Sequence, residues 1–566
     1  MDTRVRIYLL LDHQEYYGVD KTIDDAIELI RDIPSITLLN YFSGFGVNLY
    51  LYDNDEHTGK IQFMLVSSLL DKCDTEVQQK WVAEVKKQVE KGFTPIMFWN
   101  YSNLLFYSLI FKNFNRNPSR DLTGEEAKKV FDTCLIINGI ANSKIQIEEE
   151  IIKKAEEAGK IEDVTMPSFI YQKDYASSID FSNQVTRGIA FFKYLENDPK
   201  YKDLALEYYK SKNVNGYLRL FKNLMVLFTE INIGKDLVKR NQLANLQEYC
   251  ISKEVDLAYI DTLCINTEIT NYAEDESFGI LRNKILFKFS QFQFFILNVN
   301  FLLDQFYKAQ IFSFNAFLKS KNIKGEFLSE KGKNFTEGIY LPTVLDTCFP
   351  HFKRFYGDTC LNSKKEELCD AYLRESNKIC LIEFKDVLLN ASVKNGADKD
   401  KLFAELEKKF LANQTNKPKG VTQLLNAVKD IEDNFVSFDS SIPKTNLEIY
   451  PIIVYTDNSF GIEGVNKYFK GKFAKEIESL NLKNIVVKDV TFINLNYFEI
   501  HEDYFNQKYL DIFKVLNDYW EHTKDTNFAL TPFEVFSRFY MNTYVPENLG
   551  SASSFQKHVR NIVTAK

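Results

Sequence analysis

Glycine and proline are scarce, at 22 and 12 in 566 residues. So few breakers, beside 48 Phe and 31 Tyr, exclude a loop-rich chain and point to long packed helices. A basic excess is also missing: the net charge is −8, so no global positive field is available to grip a phosphate backbone. The eight cysteines (73, 134, 250, 264, 348, 360, 369, 380) form no C-x-x-C pair and match no zinc template. Scattered free thiols in a reducing cytoplasm are the expectation they leave. The six histidines, 13, 57, 351, 501, 522 and 558, fall in no metal-ligand spacing. No G-x-x-x-x-G-K-[ST] loop occurs, so an internal ATPase or helicase motor is not expected. Long apolar runs are missing too. Ile7–Leu11 stops at Asp12 and His13, too soon for a signal-peptide core. The stretch from Ile285 to Leu303 carries Lys288, Gln291, Gln293, Asn298 and Asn300, which a bilayer would not accept. It reads as a buried helix, and no membrane partner is expected.

What is present is a well-cored composition, 45% hydrophobic and 26% charged, with length for roughly three or four domains of about 150 residues. From residue 20 to about 320 the pattern is mostly helical. Thr123 and Glu126 have capping-box spacing before a helix expected to run to Asn138. Asp198-Pro199 reads as an N-cap with a first-turn proline. Leu220, Phe221, Leu224 and Leu227 give an apolar stripe at helical spacing. Gly46–Tyr52 fits a strand or a helix equally. Polar stretches at 159–164 and 321–334 are the boundary candidates. The expected domains are helical regions 1–160 and 161–325, an α/β domain 326–510 and a helical C-terminal segment 511–566.

Past residue 335 the texture alternates: a helix (Phe335–Cys348), short strands near 368–374 and 378–385, and helices at Lys399–Leu411 and Gly420–Ile431. A strand at Ile449–Tyr455, a helix near 463–478 and a strand near 484–495 follow. This is the grammar of an α/β layer. Thr531 and Glu534 have the spacing to cap one more helix. The fold class is therefore α+β and multidomain.

The informative segment runs from Cys369-Asp370 to Glu383-Phe384-Lys385. Glu375–Lys378 can form a hairpin turn. In the second strand Ile379, Leu381, Glu383 and Lys385 share one face, while Cys380, Ile382 and Phe384 take the other. Apolar residues on both faces mark a central strand, and Glu383 and Lys385 break that pattern at its end. Burying a carboxylate and an ammonium costs several kcal/mol apiece unless each is paired or bound to metal. If the hairpin brings Asp370 to Glu383, the two can hold a divalent cation. Hard oxygen donors suit Mg²⁺ or Mn²⁺, and Lys385 can orient an attacking water. The plainer alternative is a strand-edge pair reaching solvent.

Asp370, twelve residues, then Glu383-Phe-Lys385 resembles the signature of the PD-(D/E)XK nuclease superfamily, which includes restriction endonucleases. The resemblance spans about 335–500, with Cys369 standing where the superfamily has its proline. It implies a restriction-endonuclease-like core, metal ligation by Asp370, Glu383 and the Phe384 backbone carbonyl, and catalysis by Lys385. It also implies an acidic residue on the preceding helix, here Glu337, and a site-facing glutamine, here Gln423. Glu337 reads equally as a solvated helix position, and Gln423 as a first-turn polar residue. Seven lysines and four acids lie between Lys394 and Lys419; an exposed salt-bridged helix explains most of them. Lys394, Lys417 and Lys419 are the candidate phosphate contacts.

The expectation is a cytoplasmic Mg²⁺- or Mn²⁺-dependent nuclease acting on DNA. Its helical half would recognise substrate, mediate homo-oligomerisation, or restrain the site together with a regulatory protein. By analogy with the superfamily, the role implied is antiviral defence. The alternatives are an RNase with the same site, or a non-catalytic scaffold binding nucleic acid or protein.

Overall fold

The computed structural model describes residues 8–52, 58–143, 149–175, 179–233, 249–250, 255–273, 276–323, 325–395, 398–413, 415–434, 436–443, 446–545 and 552–564. Ile7 of the first apolar run and Lys324 of the second polar stretch lie outside them. The chain divides into two units that alternate along the sequence. One comprises Arg6–Gln146, Tyr175–Ile323 and His558–Lys566; the other comprises Met1–Val5, Ile147–Asp174 and Lys324–Lys557.

Helices make up most of the first unit. Gly46–Tyr52 resolves as the end of a helix, Ser35–Leu51. Thr123 and Glu126 form the expected box at the start of helix Gly124–Ser143. The Glu126 amide donates to Thr123 Oγ1 at 3.2 Å, and the Thr123 amide to Glu126 Oε2 at 3.0 Å. Asp198 closes helix Phe181–Asn197 instead of capping the next one, which begins at Lys202. Its Oδ1 is taken up by the Lys200 amide at 2.8 Å, in the turn made by Pro199. Strands β1 (Tyr8–Leu10) and β2 (Thr94–Ile96) pair in parallel. Strands β3 (Tyr249–Cys250), β4 (Leu286–Ser290) and β5 (Gln293–Ile296) form a sheet in the order β3-β5-β4.

β4 and β5 correct the expected buried helix at Ile285–Leu303: the stretch is a hairpin followed by a short helix, Val299–Asp304. Short apolar runs do not distinguish helix from strand by periodicity. Cross-strand aromatic packing decides here, with the Phe289 and Phe295 rings stacked at 4.6 Å. Asn298 then caps the helix by accepting the Phe301 amide at 3.0 Å.

The second unit is built on a mixed sheet of six strands: β6 (Lys353–Tyr356), β7 (Ala371–Glu375), β8 (Lys378–Lys385), β9 (Leu447–Tyr455), β10 (Ile485–Val487) and β11 (Thr491–Asn494). The order is β10-β9-β8-β7-β6, and β11 continues along β9 beyond β10. β6, β7 and β8 are antiparallel neighbours, whereas β8 and β9 run parallel. β8 is buried from Ile379 to Phe384, as expected of a strand covered on both faces. Ile379 and Leu381 pack into a core with Leu406 and Phe410 of helix Lys399–Phe410 and Leu424 and Val428 of helix Val421–Asn434. On the opposite face Tyr450 meets Phe513 of helix Ile512–His522 at 4.9 Å.

Met166 and Ile170, from helix Glu162–Tyr175, belong to the first of these cores. Lys467 Nζ reaches Glu162 Oε2 at 2.8 Å and Lys399 Nζ reaches Asp163 Oδ2 at 2.7 Å. Gly464 allows the close approach. Its φ is +99°, and a β-carbon there would stand 2.8 Å from Glu162 Cβ. Helix Phe533–Tyr544 starts without the expected Thr531–Glu534 box. Glu534 turns instead to the sheet, accepting the Asn494 amide at 2.8 Å and the Tyr455 hydroxyl. Among the described residues no helix is long and apolar enough to cross a membrane.

Candidate active site

The β7–β8 hairpin turns on Ser376 and Asn377, with Ser376 in the left-handed region at φ 57°. Its register pairs Ala371 with Ile382, which sets Asp370, one residue before β7, beside Glu383. The Phe384 amide donates to Asp370 Oδ2 at 2.6 Å and fixes that carboxylate in place. Lys385 Nζ donates to Glu383 Oε2 at 2.8 Å and lies 3.9 Å from Asp370 Oδ2. Glu383 is only 1% exposed, so the pair does not reach solvent as a strand-edge pair would. The structure brings Asp370, Glu383 and Lys385 together.

Glu337 sits in a wide, π-type helical stretch, Lys331–Tyr340, which leads into helix Leu341–Cys348. Such turns are rare and are frequent at functional sites. Burial first, then the Asp370 charge, pushes the Glu337 carboxyl up to about 7. The same two causes push Glu383 up to about 8, although Lys385 opposes them. Lys385 is raised: burial works against its charge, but Glu383 and Asp370 outweigh it. Glu367, exposed on the loop before β7, is raised by partial desolvation and then by the Asp370 charge. These carboxylates therefore share one field with Lys385 within it.

Among the described residues no three His, Cys, Asp or Glu side chains gather as a ready-made metal group. The donors at the centre nevertheless fit a hard divalent cation. Asp370 and Glu383 offer hard carboxylate oxygens, and the Lys385 ammonium lies 2.8 Å from Glu383 Oε2 and 3.9 Å from Asp370 Oδ2. Mg²⁺ sites of this kind use one or two carboxylates and complete the shell with water and phosphate.

The other expected residues divide. Gln423 Oε1 accepts the Gly420 amide at 2.7 Å, the reach-back half of a capping box at the start of helix Val421–Asn434. That helix start lies near the site end of the sheet. A β-carbon at Gly420 would meet Ile453 Cδ1 at 3.4 Å, and Ile453 is the β9 neighbour of Glu383. Lys417 is exposed and Lys419 half-buried, in a loop closed by the Lys419 amide donating to the Leu411 carbonyl at 2.8 Å. Lys394 is 6% exposed, which removes it from the surface a nucleic acid would meet.

Sequence reasoning missed Asp386, next after Lys385. It accepts from the Lys331 ammonium, from Thr336 Oγ1 at 3.1 Å and from Thr456 Oγ1 at 2.8 Å. A third charge within four residues at the end of a buried strand was the signal. Two of the eight thiols, expected as scattered, meet beside Asp370: Cys360 and Cys369 are buried with their sulfurs 3.7 Å apart. Comparison with protein-family models, with curated proteins and with solved structures finds no match.

Proposed function

We propose that the protein is a nuclease that hydrolyses phosphodiester bonds of DNA with Mg²⁺ or Mn²⁺. The observation that carries this reading is the desolvated Glu383, facing Asp370 across the hairpin with the Lys385 ammonium between them. Burying Glu383 beside Asp370 costs stability, which the Lys385 ammonium offsets in part and a bound cation would offset further. A bound divalent ion supplies Lewis acidity to the scissile phosphate and acidifies water. Asp370 and Glu383 would hold it, with the Phe384 carbonyl as an added donor. Lys385 would donate to the attacking water or to the phosphate oxygens. Glu337 and Gln423 border the site, and the exposed Lys417 is a phosphate contact. Restraint by the helical unit, by a second copy of the chain or by a regulatory protein completes the reading, within a cytoplasmic defence role.

Incubation of the full chain with plasmid DNA, linear DNA and RNA under Mg²⁺ or Mn²⁺ tests it. Glu383→Ala and Lys385→Ala are each expected to lower cleavage by at least about a hundredfold, with the circular dichroism spectrum retained. Cleavage surviving both substitutions overturns the site. Binding of nucleic acid without cleavage under either metal favours a non-catalytic scaffold.

A further inference from the structure

β8 ends at Lys385, and the next residue, Asp386, holds three elements at once. Its carboxylate accepts from Thr456, the residue that follows β9, and from Lys331 and Thr336 of the π-type stretch. Lys331 is itself buried. Thr336 Oγ1 lies 2.7 Å from the Gly332 carbonyl and 3.1 Å from Asp386 Oδ2, so its single hydroxyl hydrogen is shared between the irregular turn and Asp386. Glu337 is the residue after Thr336. A π-type turn is rare and is frequent at functional sites. Here it is tied through Lys331 and Thr336 to the residue adjoining the Glu383–Lys385 pair. A buried ion pair adds little stability over an apolar one but fixes geometry where it is fully bonded.

We infer that Asp386 is the positioning residue of the site: through Lys331 and Thr336 it holds the stretch carrying Glu337 against Asp370, Glu383 and Lys385, and so sets the site's affinity for a divalent cation. The inference rests on the metal-dependent reading above. Asp386 touches neither cation nor substrate; it acts through Glu337.

The test is Mn²⁺ binding by the full-length chain, measured by titration calorimetry, with hydrogen exchange of residues 331–340 alongside. Asp386→Asn is expected to weaken Mn²⁺ binding by about ten- to a hundredfold, the range for residues that orient metal ligands. It should also speed exchange in 331–340 while leaving β8 and β9 protected. Glu337→Gln is expected to weaken binding comparably without changing exchange, and the double variant to bind no more weakly than Asp386→Asn. The variant Lys331→Met/Asp386→Asn removes both charges, so it folds even if Asp386→Asn strands a buried ammonium; the same loss of binding is expected. Multiplying effects of Asp386→Asn and Glu337→Gln, or unchanged exchange, overturns the inference while leaving the nuclease reading standing. A wild-type chain that neither binds Mn²⁺ nor cleaves overturns both.

Discussion

Asp439 shows how a buried carboxylate stays ionised. Burial works against its charge, yet Arg374 Nη2 at 3.0 Å, Ser441 Oγ at 3.1 Å and the Tyr372 hydroxyl at 3.2 Å hold its carboxyl down at about 2. A group held below its unfolded value, here 3.8, adds stability in full above that value and loses it as the pH falls through the folded one. Asp439→Asn strands the Arg374 guanidinium, so a loss of about 3–5 kcal/mol is expected at pH 7. The gap to the wild type should shrink between pH 4 and pH 2. Urea denaturation at pH 7 and pH 3 measures both; equal gaps would sink the assignment. Glu383 obeys the opposite balance, since burial and Asp370 outweigh Lys385 there. Glu383 and Lys385 were legible because they break a period-2 apolar pattern. Asp439 was not, because its partner Arg374 is distant in sequence and no local pattern joins them.

At the scale of elements, helix Val421–Asn434 offers a second test. Gln423→Ala removes the reach-back bond to the Gly420 amide and should cost about 1 kcal/mol of stability, read from the urea midpoint. Gln423→Glu keeps an acceptor there and should restore it. If Gln423 serves only the cap, cleavage falls no further than the folded fraction; a much larger fall gives it a place at the site. Most strands and helices from 371 to 479 were readable from their apolar patterns, because each buries a regular face; the five-residue helix Ala391–Asn395 was not, being too short to carry a period. The segment 285–303 was not, because a run this apolar satisfies helix and strand alike until cross-strand partners choose. The Thr531–Glu534 spacing misled for a related reason. A glutamate that can close a local box can also reach a distant amide, and Asn494 and Tyr455 take it here.

At the scale of the whole molecule, the second unit draws part of its core from Ile147–Asp174. A fragment limited to 324–557 lacks Met166 and Ile170. Losing two buried side chains at about 2–5 kcal/mol each consumes much of an ordinary domain's stability of about 5–15 kcal/mol. That fragment is expected to be poorly soluble and to melt without cooperativity by circular dichroism. Fusing residues 147–174 to it should restore a sharp transition; a fragment that melts cooperatively without them would contradict the packing.

The same interleaving has a consequence in time. During synthesis the helix Glu162–Tyr175 emerges before Tyr175–Ile323 and long before the sheet it packs on exists. Met166 and Ile170 must wait, unpartnered, while the rest of the other unit is made. Chains normally fold domain by domain from the N-terminus, and contacts between remote segments form slowly. Here neither unit can finish strictly ahead of the other, so the early helix is expected to keep its apolar face uncovered until the sheet is made.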